Sequence, residues 1–414
     1  MKFNKWTLAL AATGVVSLGS LAQAEEAKNQ VLTAVSATTL SGYVDTSAIW
    51  KFGTGNNLVG RSFDGANKQD GFNLNVVKLS LAKPLDEGQW SAGYQADLLF
   101  GPDAQQFEAL NTFPGAGNDL AIQQAYVVLR APVGNGLDIK MGVFNGILGY
   151  ESFDSYKNPN YSRSFGYFLE PKQHTGVLAT YQVAEWLSVS AGVANSYNGA
   201  INDRPIRNGT LAAESEKTYM GSFVLTAPES MGFLKGASLY GGVVDGLPGG
   251  GTNAFPQRFT DVTSYYAGLV VPTPIEALAV GASYDYRGTK KQGNGDIFTG
   301  GAPSTYANAM AAYVTFQATE KMRLANRFEY VNGSDGTWYN SNELTDPNNA
   351  MIGETVTLDY ALWANVVTRL EFRWDRNVAG AGSLPQSVGG VQLAPNASGD
   401  RNALSLALNV IYKF

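Results

Sequence analysis

Many stretches of about ten residues alternate between an apolar or aromatic side chain and a small or polar one. From position 404 to 414 every second residue is apolar: Leu404, Leu406, Leu408, Val410, Tyr412 and Phe414. In "QWSAGYQADLLF" (89–100), Trp90, Ala92, Tyr94, Ala96, Leu98 and Phe100 share one face. Ser91, Gly93, Gln95 and Asp97 share the other. The stretches "EALAVGASYDYR" (276–287), "KMRLANRFEY" (321–330) and "VVTRLEFRW" (366–374) follow the same rule. A period of two belongs to a strand whose two faces meet different surroundings.

The connections between these strands are of two kinds. Short ones fall at 83–88, 131–136, 183–185, 227–232, 271–276, 318–320 and 363–365. Long ones, rich in Gly, Asn, Asp, Pro and Ser, occupy roughly 53–70, 102–118, 146–170, 199–215, 246–259, 288–303, 332–350 and 377–400. The two kinds alternate strictly, which implies about sixteen strands in eight hairpins. Loops beyond about 12–15 residues are uncommon in compact soluble domains. On an all-β, antiparallel, up-and-down transmembrane barrel they are expected: short periplasmic turns, long extracellular loops and an even strand number. A β-sandwich would show the same alternation, so other features decide between the two. The polar face is mostly small, as a lumen wall needs. Aromatics gather near strand ends, among them Trp50, Phe52, Trp90, Phe100, Tyr284, Tyr286, Phe328, Tyr330, Trp363, Phe372, Trp374 and Tyr412, as interfacial girdles require.

Composition sharpens this. Charged residues make up only 15% of the chain, against roughly 25% in soluble proteins. Cysteine is absent, which excludes disulfides, thiolate metal sites and a Cys nucleophile. The net charge of −6 and the lack of a basic block speak against nucleic acid as a partner. At the N-terminus Lys2 and Lys5 precede an apolar run from Trp6 to Leu21, followed by Ala22-Gln23-Ala24. That is the pattern of a signal peptide cleaved after Ala24, and the run is short for a spanning helix. The expected organisation is a signal peptide at 1–24, a periplasmic lead-in at 25–38 and a barrel over 39–414.

"TTLSGYVDTS" (38–47), "QQAYVVLRAPVGNGLDIKMGVFNGILGYE" (123–151) and "NPNYSRSFGYFLEPKQHTGV" (158–177), together with the terminal Phe, give the chain a resemblance to a known family. It resembles the OmpL-like bacterial porins, the β-barrel porin-2 group. The resemblance implies an outer-membrane channel without naming a solute. C-terminal aromatics of this kind also resemble the signal read by the barrel-assembly machinery, which assigns that role to Tyr412 and Phe414.

Sixteen strands enclose an aqueous channel. Strand parity then assigns its lining. Met322, Leu324, Phe328 and Tyr330 point to lipid, so Lys321, Arg323, Arg327 and Glu329 point inward. Likewise Asp359, Arg369, Glu371, Arg373 and Asp375 line the lumen. The energetic reason is that Arg on the lipid face near the midplane costs about 2–4 kcal/mol. The loop at 146–170 is rich in Tyr and Phe, rings that need a surface to pack on. Folded into the barrel, it would bring Glu151, Asp154 and Glu170 opposite the arginines, with Lys157 and Arg163 among them. The expectation is a constriction with a transverse field; the alternative is an aromatic lid at the surface.

Other chemistry is sparse. His174 is the only histidine and belongs to no metalloprotease or serine-triad pattern. Asp64, Asn67 and Asp70 lack the spacing of a known calcium loop. No cofactor is implied. Lipid, the assembly machinery and small hydrophilic solutes are the expected partners, and a homotrimer stays open. A structural or adhesive barrel with working surface loops is the competing reading. Ile411, which parity points inward beside Lys413, is expected near a turn, under the barrel floor or against 30–38.

Overall fold

The computed structural model describes residues 31–32, 38–53, 61–64, 68, 70–107, 119–198, 201–207, 210–211, 216–249, 261–290, 304–333, 349–378, 387–388, 391–392 and 401–414. The expected signal peptide and most of the expected 25–38 lead-in lie outside them. Sixteen strands form the wall. They are β1 (Thr39–Phe52), β2 (Gly71–Lys83), β3 (Ser91–Phe100), β4 (Leu120–Ala131), β5 (Leu137–Asn145), β6 (Gln173–Ala184), β7 (Leu187–Ala194) and β8 (Thr218–Thr226). The second half comprises β9 (Ser238–Gly246), β10 (Val262–Pro272), β11 (Leu278–Thr289), β12 (Thr305–Gln317), β13 (Met322–Gly333), β14 (Asn349–Tyr360), β15 (Val366–Asn377) and β16 (Asn402–Lys413).

Each strand pairs antiparallel with the next in sequence, and β16 pairs with β1, so the sheet closes. Closure leaves the wall without an open sheet edge, which is what acyl chains demand. At the seam the Gly42 N–H donates to the Phe414 carbonyl at 2.8 Å and the Phe414 N–H to the Gly42 carbonyl at 2.9 Å. The backbone of Val31–Leu32 pairs with Thr39 and Leu40.

Alternation is as the sequence requires. On β13, Ala325, Arg327, Glu329 and Val331 are buried, while Leu324, Phe328 and Tyr330 are exposed on the outer surface. Trp50, Phe52, Trp90, Trp363 and Tyr412 are also exposed there. Single-residue bulges sit in β2 opposite Asp45/Thr46 and in β4 opposite Asp97/Leu98. Such bulges raise local twist and re-aim neighbouring side chains.

Two sequence expectations change. Lys321 lies exposed in the turn before β13 rather than on the lumen wall, because the strand starts one residue later. Ile411 is fully buried inside the barrel with Tyr43, Val76, Leu99, Phe107 and Phe153. An apolar residue is stable on the lumen side here because loop segments, not water, cover it.

Candidate functional site

The lumen is occupied from the long-loop end by the segment 146–172, which follows β5. Its path can be traced contact by contact. Leu148 reaches the wall at Gly242 of β9. Tyr150 stacks on Tyr313 of β12, with ring centroids 4.1 Å apart. Glu151 accepts from Arg327 on β13 at 2.9 Å and from the Tyr313 hydroxyl at 3.2 Å. The chain then crosses to β1 and β2, where Asp154 meets Lys78 at 2.9 Å and the Tyr43 hydroxyl at 3.1 Å. Its lowest point is a short 3-10 turn, Ser155–Lys157. There Tyr156 lies within 5.2 Å of the Lys413 ammonium, at the short-turn end of β16. The segment climbs back past Thr357 of β14, to which Asn160 donates at 2.7 Å. It forms one helical turn, α1 (Phe165–Leu169), capped by Ser164, whose hydroxyl accepts from the Tyr167 N–H at 3.0 Å. Phe165 and Leu169 pack on Ala307, Ala309, Val331 and Met351 of the wall.

The wall arginines hold this segment in place. Arg327 donates to Glu151, to the Ser162 carbonyl at 2.6 Å and to the Ser162 hydroxyl at 3.0 Å, and pairs with Glu329 at 2.7 Å. Arg369 donates to the Ser155 carbonyl at 2.9 Å. Glu371 accepts the Tyr161 and Ser162 N–H groups at 2.6 and 3.0 Å. Glu329 accepts the Phe165 N–H at 2.7 Å. Arg323 pairs with Asp359 at 2.7 Å. Arg327, Glu329, Arg369, Glu371, Arg373 and Asp375 are all buried. Buried ions are tolerated only with near-complete hydrogen bonding, and the loop backbone supplies it.

The loop acids and wall arginines therefore do not oppose each other across water, as a transverse field would require. They are in contact, because the segment is long enough to reach the wall. Of the loop charges, Glu151 meets a wall arginine. Asp154 instead meets Lys78 and, at 2.8 Å, Lys157. Burial raises its pKa, but Lys157 and Lys78 outweigh that and hold it below the usual carboxylate range. Arg163 turns back on the segment, donating to the Ser152 carbonyl at 2.9 Å and the Tyr161 carbonyl at 2.7 Å. Glu170 meets Lys172 at 3.6 Å. Burial pushes the Lys172 ammonium down to about 8, against the pull of Glu170 and Asp285.

A second loop, between β1 and β2, adds residues that parity cannot find. Arg61 is fully buried, pairs with Glu329 and with Asp375 (2.7 Å), and lies 4.2 Å over the Phe165 ring. Asp64 accepts from both terminal nitrogens of Arg373, at 2.9 and 2.8 Å. Phe63 packs against Phe153, and Lys68 pairs with Asp103. Strand parity gives no signal for Arg61, because it lies in a loop.

The short-turn end has a different balance. The lumen-side cations there are Lys78, Arg130, Lys140, Arg323, Arg369 and Lys413, with Lys157 from the loop tip. The carboxylates are Asp45, Asp97, Asp138, Asp154 and Asp359, so cations outnumber them seven to five. Arg130 and Asp138 neutralise each other through two bonds of 2.6 and 2.7 Å. Lys140 lies 4.4 Å over the Tyr126 ring, and Lys157 and Lys413 flank Tyr156 at 5.6 and 5.2 Å. Among the described residues neither Lys140 nor Lys413 has an ion-pair partner. His174 faces inward but is buried against Phe144, its Nδ1 3.4 Å from the Ser196 carbonyl.

A family model described as "Putative beta-barrel porin-2, OmpL-like" matches residues 37–414. No curated protein matches the sequence. Several solved structures share the fold at 12% identity. The anion-selective porin from Comamonas acidovorans superposes with a TM-score of 0.59, covering 91% of this chain and 99% of that one. The outer membrane channel DcaP of Acinetobacter baumannii gives 0.58, over 93% and 100%. OmpT of Vibrio cholerae, in its trimer form, gives 0.54, over 91% and 99%.

Proposed function

We propose, from the premise that this chain belongs to the OmpL-like β-barrel porin-2 family, that it passes small hydrophilic solutes or ions by diffusion, with the segment 146–170 as its constriction. As a member of that family it is a porin of the bacterial outer membrane. The observation that carries the finer reading is the path of the loop. It runs from the extracellular rim down to the level of Lys413 and back, held by Arg327 and Arg369 on one wall and by Lys78 on the other. Whatever crosses the barrel passes this segment. Arg323, Arg327, Glu329, Asp359, Arg369, Glu371, Arg373 and Asp375 act, on this reading, as the lumen wall, and Arg327, Glu329, Arg369 and Glu371 among them clamp the segment. Glu151, Asp154, Lys157, Arg163 and Glu170 are the loop's share of the narrowing.

Single-channel conductance of a deletion of 152–168 tests the constriction. A rise is expected, and an unchanged conductance sinks it. The close filling of the lumen also favours a second reading, a structural or adhesive barrel. Swelling of liposomes carrying the full-length protein in small sugars distinguishes the two, since an adhesive barrel gives none. We further propose cleavage after Ala24, recognition of Tyr412 and Phe414 by the barrel-assembly machinery, and a homotrimeric assembly. His174 is assigned no catalytic part.

A further inference from the structure

We infer that the channel favours anions, and that Lys140, Lys157 and Lys413 at its periplasmic mouth set the preference. The inference rests on the porin reading and deepens it. The arginines first expected to select ions are poorly placed to do so. Arg327 gives its donors to Glu151, Glu329 and the Ser162 carbonyl. Arg373 gives its donors to Asp64 and Asp375. Their charge is cancelled at contact, and a passing ion meets little of it.

Below the loop tip the charge is not cancelled. Lys140 and Lys413 rest on tyrosine faces, which stabilise an ammonium without neutralising it. Lys157 is 36% exposed at its side chain and shares Asp154 with Lys78. Lys78 also meets Asp97 at 3.1 Å, so these four groups balance; the surplus rests on Lys140 and Lys413, with Lys157 the exposed member of the balanced set. The remaining acid nearby, Asp45, is enclosed one step higher on β1, where the Asn75 and Asn409 amides each donate to it at 2.7 Å.

The result is a narrow mouth with surplus positive charge and low-dielectric walls. Such a mouth concentrates counter-ions and raises their entry rate. Each ammonium offers three donors to a partner, which suits chloride, phosphate or a small carboxylate. Two of the three lie close to Tyr156, the lowest ring of the loop, at 5.6 and 5.2 Å from its centroid.

The test uses the folded, full-length mature protein in planar bilayers under a potassium chloride gradient. The wild type should give a reversal potential of the sign set by chloride. The triple variant Lys140→Glu, Lys157→Glu, Lys413→Glu should move it to the sign set by potassium. Should the triple variant fail to fold, Lys157→Gln and Lys413→Gln singly should each move it part of the way. Lys235→Glu, in a periplasmic turn outside the lumen, should leave it in place. A potassium-preferring wild type, unmoved lumen variants, or an equal shift from Lys235→Glu would overturn the inference while leaving the channel intact. A protein that never conducts yields no reversal potential and removes the porin reading together with it.

Discussion

Arg327 is the residue on which most of the lumen converges. It is buried and bonds to two carboxylates and a loop carbonyl. Removing one partner of a buried pair costs about 3–5 kcal/mol, because the other charge is left uncompensated. Arg327→Met should therefore release the segment 146–172 while the wall, held by its ladder, stays closed. The expected reading is higher, noisier conductance with unchanged heat-modifiable mobility of the folded barrel. Arg61→Met should do the same more weakly, since Glu329 keeps Arg327 and Asp375 keeps Arg373. Parity exposed Arg327 and concealed Arg61 for one reason. A strand repeats every two residues, whereas a single cation in a Gly- and Asn-rich loop has no period to betray it. Asp154 adds a pH dependence. Its folded pKa is depressed, so its stabilisation is full above the ordinary carboxylate value of about 4 and is lost as pH falls below it. Besides Lys78 and Lys157 it faces Tyr43, Tyr156 and Asp97. Conductance should rise as pH drops below about 4. Asp154→Asn should show the raised conductance already at neutral pH, and a flat profile in the wild type would refute the assignment.

At the scale of elements, the strands were legible and the interior was not. The sixteen segments, their alternating connections and the outward aromatics follow from local periodicity, which needs no knowledge of partners. The turn after β8 shows the limit. It was expected at 227–232 and runs on to Ala237 around a 3-10 segment, Glu229–Leu234, because nothing in its composition marks where the next strand resumes. The loops carry no period at all. That 146–172 enters the barrel was readable only from its unusual rings, and its partners were not readable. The seam between β16 and β1 is the element on which closure depends. At Gly42 an added Cβ would meet the Lys78 carbonyl and, at 2.7 Å, the Phe414 ring. Gly42→Val should therefore disturb the pairing of Phe414 with Gly42. The folded fraction recovered from membranes, read by heat-modifiable mobility, should fall well below that of Ala48→Val on the same outward face.

The whole molecule presents acyl chains with a wall that is apolar apart from a few positions. Most of these, such as Asp245 and Arg376, lie near the strand ends, where headgroups and water reach them. Glu354 differs. It sits near the middle of β14, facing out between Phe328 of β13 and Trp374 of β15, with Ile352 and Val356 on either side along its own strand. Its bonded partner is Asn326, on the same outer face. A carboxylate in the lipid-facing band is a net cost, smaller than the roughly 2–4 kcal/mol of a cation at the midplane. A single amide offsets only part of it. Its place in the strand sets Glu354 on the outer face with Ile352 and Val356, but no periodicity points to Asn326 as its partner. If lipid covers this face, Glu354→Leu should raise the temperature at which the folded barrel converts to its unfolded mobility. The double variant Asn326→Leu, Glu354→Leu should raise it further, because the orphaned amide is then removed as well. A fall in that temperature, accompanied by a loss of higher-order species in native gels, would instead mean that a second copy covers the face and supplies the carboxylate with a donor. That result would fix the assembly interface on β13 and β14.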